Sequence, residues 1–168
     1  MTTPAGRARD GAGEAAMMHR GGPPARSGTG SLAARRVARV AGGMMLTGAG
    51  LNTVLLVARP GVYAELGTWF ADLSPWQVDA LQDLWGRTMG AHPRVWATAV
   101  GVGYEAAVGA LALSADPRRR VVGLGGIAAF KAGLLAMGLW SWALPWLAVV
   151  AWAAAATVRE RDRAGEGH

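Results

Sequence analysis

Residues 95–140 read VWATAVGVGYEAAVGALALSADPRRRVVGLGGIAAFKAGLLAMGLW, two apolar arms joined by the turn Asp116-Pro117-Arg118-Arg119-Arg120. Each arm is about twenty residues long, the length that crosses a hydrocarbon core as a helix. Glu105 lies in the middle of the first arm and Lys131 in the middle of the second. Counted from the turn at 1.5 Å per residue, both charges sit roughly 14–17 Å deep, near the midplane of a core about 30 Å thick. A charge at that depth costs about 2.5–3.5 kcal/mol on the insertion scale, so an ionisable residue there points to a function and to a partner. The matched depths predict that Glu105 and Lys131 partner each other, as an ion pair or sharing a proton. The plainer role for such a pair is to hold two helices in register.

The composition of the remaining chain fits a bilayer. Of 168 residues, 52% are hydrophobic and 17% charged, where a soluble domain carries about 25% charged residues. The formal charge is +6, but the positives gather at the N-terminus, in the 114–120 turn and at the C-terminus. That distribution fits membrane topology, and no nucleic-acid-binding motif accompanies the arginines. The absence of cysteine excludes disulfides, thiol redox chemistry and thiolate metal sites. His19, His92 and His168 are far apart in sequence, and no metal-binding spacing is present. No metal, cofactor or catalytic constellation is therefore expected.

Taken in order, residues 1–34 are rich in Gly, Pro, Ala and Arg and read as a disordered basic tail, too poor in apolar surface to offset the entropy of ordering. Translation could start at Met1, Met17 or Met18. Arg35, Arg36 and Arg39 precede an uncharged run, Val40–Ala58, which is longer than a signal-peptide core and lacks a following cleavage site. Gly42, Gly43, Thr47, Gly48 and Gly50 permit close approach of a neighbouring helix, and Asn52 supplies an interhelical hydrogen-bonding group. Arg59-Pro60-Gly61 ends this span. The loop 60–93 is long enough to expect structure of its own, read as short amphipathic helices at the membrane interface. Ser74-Pro75 signals a helix start, with Trp76, Leu81, Leu84 and Trp85 on one face and a solvated Asp79/Asp83 pair on another.

Three further spans follow at about 95–113, 121–140 and 142–158, and residues 159–168 form a basic tail. On the second span Gly101, Glu105 and Gly109 recur at i, i+4, i+8, a ridge suited to tight packing inside a bundle. The expected fold is all-α: a polytopic four-transmembrane-helix bundle over residues 35–158 with a structured extracytoplasmic loop. Residues 1–39 carry seven arginines, while the long loop carries Glu65, Asp72, Asp79 and Asp83. The positive-inside rule then places both termini and the 114–120 turn in the cytoplasm. Trp76, Trp85, Trp140 and Trp142 are read as interfacial anchors on the outer side, which agrees with that orientation.

The long first loop opening with Pro60 and Tyr63, the Gly-rich first span and the segment Glu105-Ala106-Ala107-Val108-Gly109-Ala110-Leu111-Ala112-Leu113 together resemble the DoxX-like small bacterial membrane proteins. The resemblance covers roughly residues 37–158 and implies a four-helix inner-membrane protein, in some members tied to terminal oxidases or redox complexes. Lys131 has no counterpart in that pattern. Three functions are weighed. The first is a non-enzymatic accessory subunit of a membrane complex, or a homo-oligomer, with lipid as its surroundings and no nucleic-acid partner. The second is a small proton- or cation-coupled transporter built on Glu105, with Lys131 and Asn52 in the same polar layer. The third is a membrane enzyme, for which no nucleophile–base pair is visible.

Overall fold

The computed structural model describes residues 27–166 except 74, 75 and 77. Residues 1–26, the alternative starts among them, and the Ser74-Pro75 signal lie outside the described residues. Among the described residues every regular element is helical. Helix α1 spans Ser27–Ala58. Short helices α2 (Val62–Leu73) and α3 (Asp79–Trp85) fill the long loop, and a π-helical turn, Gly86–Gly90, extends α3. The first arm begins at α4 (Pro93–Trp96), passes through a π-helical stretch, Ala97–Tyr104, and ends in α5 (Glu105–Ala112). Helices α6 (Pro117–Ala136) and α7 (Trp140–Gly165) complete the chain.

Three segments are long and apolar enough to cross a membrane: Gly30–Ala58, Pro93–Ala112 and Trp140–Arg163. Helix α6 has 20 residues, the required length, but Arg118, Arg119, Arg120 and Lys131 lower its hydropathy.

Three helices differ in their bounds from the sequence expectation, α7 running Trp140–Gly165 where a span over 142–158 and a tail were expected. Helix α1 begins at Ser27 instead of near Arg35, because Ala34 and Ala38 are almost fully buried against the bundle and give the helix a packed face there. Helix α6 stops at Ala136 instead of Trp140. Gly138, at φ 103°, takes the left-handed conformation that a glycine adopts without penalty. Its N–H donates to the Leu135 carbonyl and the Leu139 N–H donates to the Leu134 carbonyl, both at 3.0 Å. This closes the helix by the paired bonds of a Schellman cap, and α7 starts two residues later. At the opposite end of α6, Asp116 Oδ1 accepts from the Arg118 N–H at 2.9 Å with Pro117 in the first turn, so this start is written in the sequence.

The packed core lies in the half of the bundle that carries both chain ends. Ala34, Ala38, Ala41 and Met45 of α1 meet Val108 and Ala112 of α5, Leu124 and Ile127 of α6, and Val150 and Ala153 of α7. Small side chains bring the helices close. A methyl group on Gly42 would come within 2.9 Å of the Gly109 carbonyl oxygen, and one on Gly109 within 2.9 Å of the Gly42 carbonyl oxygen. A methyl group on Gly123 would strike the α5 backbone at Leu111 and Ala112. Toward the loop the packing loosens, and the candidate site lies there.

Candidate functional site

The predicted ridge on the first arm is used as a seam against α1. From the chain-end side outward, Gly109 lies on Gly42, Glu105 on Gly48 and Gly101 on Asn52. Gly48 has no side chain where the Glu105 carboxylate sits, and a methyl group there would strike Oε2. Glu105 is thereby held against α1, 6% exposed.

Asn52 joins the polar groups of this seam. Its Nδ2 donates to the Gly101 carbonyl at 3.1 Å and to Glu105 Oε1 at 3.5 Å. Its Oδ1 accepts from the Tyr63 hydroxyl at 2.8 Å. The Tyr63 carbonyl in turn accepts from Trp85 Nε1 at 2.7 Å. Trp85 packs edge-to-face on Phe70, with centroids 5.2 Å apart. A polar chain thus runs from the loop helices to the middle of the bundle. Burial, and after it the Glu105 charge, push the Tyr63 phenol above its ordinary pKa, so the phenol keeps its proton and its role as donor.

These residues wall a cavity of about 320 Å³. Asn52, Tyr63 and Glu105 give it one polar side. Phe70, Trp85, Met89, Phe130, Leu134 and Met137 line the remainder. The volume is in the range of small-molecule sites, which are mostly apolar with a few convergent polar groups. The π-helical stretch borders the cavity through Val100 and Gly101. Such turns widen a helix and recur at functional sites.

Glu105 and Lys131 do not meet. Among the described residues no ion pair within 4.0 Å joins them. Lys131 is as buried as Glu105, at 6% exposure, but its ammonium lies 5.4 Å from the Trp142 ring centroid and 5.6 Å from that of Phe130. The geometry is cation–π. Depth matching carried the expected pair, and helix facing undoes it. Glu105 faces α1, whereas Lys131 reaches Trp142 of α7. Asn52 joins Glu105 by a hydrogen bond, whereas Lys131 acts on Glu105 through its charge and without contact.

The anchor tryptophans divide as well. Trp76, Trp140 and Trp142 are about half exposed, although Trp142 also carries the Lys131 contact. Trp85 turns inward as a wall of the cavity. Asp79, Asp83 and His92 are exposed. No group of three or more His, Cys, Asp or Glu side chains converges among the described residues.

Two residues of the site were not legible as such. Phe70 belongs to a loop helix whose inward face depends on docking. Tyr63 reaches Asn52 only because the Arg59-Pro60-Gly61 turn folds α2 back onto α1, with Val62 N–H donating to the Arg59 carbonyl at 3.1 Å. That turn is the one local signal that could have found it.

Comparison of the chain with protein-family models, with curated proteins and with solved structures finds no match.

Proposed function

We propose that this chain is a four-span inner-membrane protein that holds a small, mostly apolar ligand by a positive charge or hydrogen-bond donor at Glu105. The observation that carries this reading is a buried carboxylate on the wall of a mostly apolar cavity of about 320 Å³. A carboxylate inside a span favours a counter-charge or donor strongly. The aromatic wall of Phe70 and Trp85 suits a cation further. Asn52 and Tyr63 position the carboxylate. Proton- or cation-coupled movement of the ligand would use the same group. In this proposal α6 is the fourth span, with its arginines at the cytoplasmic interface and both termini inside. The DoxX-like affiliation belongs to the same proposal and is supported by the Glu105–Leu113 segment and the long first loop.

The test uses the full chain in detergent, titrated calorimetrically with a naphthylethyl ammonium ion and with the matching neutral alcohol. The ammonium ion is expected to bind at least tenfold more weakly to Glu105→Gln, while the alcohol binds both proteins alike. Equal binding of the ammonium ion to both proteins removes the reading.

The second reading, an accessory subunit of a membrane complex, is favoured by one face of α1. Gly43, Thr47, Gly50, Val54 and Val57 follow one another at i, i+4, i+7, i+11 and i+14. A methyl group on Gly43 or Gly50 would meet nothing within 4 Å. Such a ridge suits another helix. A purified protein that is only monomeric, with nothing co-purifying, counts against it.

A further inference from the structure

The chain-end side of the bundle holds a second polar centre, which the proposed function does not use. Arg120, in the first turn of α6, is 5% exposed. Its Nη2 donates to the Ser114 carbonyl at 2.9 Å and the Ala115 carbonyl at 3.1 Å, which ties the 114–116 turn to the helix. Its Nη1 is buried and has no hydrogen-bond partner among the described residues. A buried charged donor without an acceptor is costly and calls for a specific explanation.

Arg120 borders a cavity of about 190 Å³ together with Arg35 and Arg39 of α1, Leu113 and Ser114. At roughly 30 Å³ per water this is about six water volumes, room for a phosphate group. The nearby carboxylates do not line this cavity, although the Glu160 charge reaches Arg120. Asp116 accepts from the Arg118 N–H and lies 3.7 Å from Arg119. Glu160 pairs with Arg35 through Oε1, and its Oε2 is buried without a partner. Glu160 lines a different cavity, with Arg159 and Arg163.

We infer that the cavity of Arg35, Arg39 and Arg120 is a site for the phosphate of an anionic phospholipid. Guanidinium groups take phosphate oxygens in paired hydrogen bonds, and Arg35 and Arg39, both exposed, line the cavity from α1. Lipid is the source because the cavity lies at the end of the bundle's long helices, and because Leu113, 41% exposed, lines it beside the charges. That places an apolar surface next to the phosphate for the glycerol and acyl parts. Basic pockets between helices at a membrane face bind anionic headgroups in this way.

The experiment is native mass spectrometry of the full chain in detergent, titrated with phosphatidylglycerol, phosphatidylcholine and inorganic phosphate. Phosphatidylglycerol is expected to bind more tightly than the zwitterionic lipid. Arg39→Gln changes an exposed residue and leaves the bundle intact. It is expected to weaken the anionic lipid about fivefold, the worth of roughly 1 kcal/mol for one arginine near a lipid surface. Arg36→Gln, which changes an exposed residue outside the cavity, is expected to leave binding unchanged. Because Arg120 also ties the turn, Arg39 is the deciding position. Equal affinity for the two lipids overturns the inference, as does an equal loss in Arg36→Gln. Displacement of phosphatidylglycerol by millimolar phosphate would identify a free anion as the occupant and overturn the lipid assignment.

Discussion

The two halves of the bundle contain the same four long segments packed to different ends. At the start of α1 and the end of α7, Ala34, Ala38, Ala41, Gly42, Gly109, Ala112 and Gly123 let the backbones touch, and Leu124, Ile127 and Val150 fill what remains. Where the loop docks, Tyr63, Phe70 and Trp85 enter from α2 and α3 and wall a cavity. Small residues bring helices together without leaving a void. Bulky aromatics delivered by a loop close over a space without filling it. A buried carboxylate is tolerated in the second setting because it has Asn52 and a cavity beside it. In the first setting it would have had to displace packed side chains.

The largest effect is expected at Gly123. Its valine variant places side-chain atoms against the Leu111–Ala112 backbone, which cannot yield. Overpacking of this kind costs about 3 kcal/mol, measurable by unfolding in sodium dodecyl sulfate. A loss under half of that would mean the chain-end half is looser than described. Next is Tyr63→Phe, which removes the donor to Asn52 Oδ1 and costs about 1 kcal/mol. Its signature beyond stability is weaker ammonium binding with unchanged alcohol binding.

Smaller again is the coupling between the two buried charges. Residues that do not touch are nearly additive in their effects on stability, whereas breaking a buried ion pair costs about 3–5 kcal/mol. A double-mutant cycle of Glu105→Gln and Lys131→Met is expected to give a coupling below about 1 kcal/mol. A value of several kcal/mol would restore the direct pair. The smallest effect belongs to Met137→Trp, which adds volume into the cavity. It is expected to change stability by less than about 1 kcal/mol, since the space is empty of protein, while abolishing binding of the naphthylethyl ammonium ion.

Several features were legible in the residues alone. The Gly101–Glu105–Gly109 ridge follows from helical periodicity, and it packs on α1 as its spacing predicts. Asn52 stands out as a strongly polar group in an uncharged run, and it meets Glu105. The Asp116-Pro117 start of α6 is local chemistry. Gly138 was equally local, yet the apolar run carries on through it, so hydropathy extended α6 to Trp140 where the left-handed glycine stops it at Ala136.

The amino-acid sequence by itself pointed to an all-helical chain with four spans and a carboxylate inside one of them, of which three spans are long and apolar enough to cross a membrane in the structure. These follow from period, length and polarity, which act within one helix. Only the tertiary structure decided which neighbour each charge faces. Rotation of α5 and α6 about their axes sends Glu105 to α1 and Lys131 to the Trp142 ring. Such a rotation is settled by how all the faces pack at once, and depth along a helix carries no information about it.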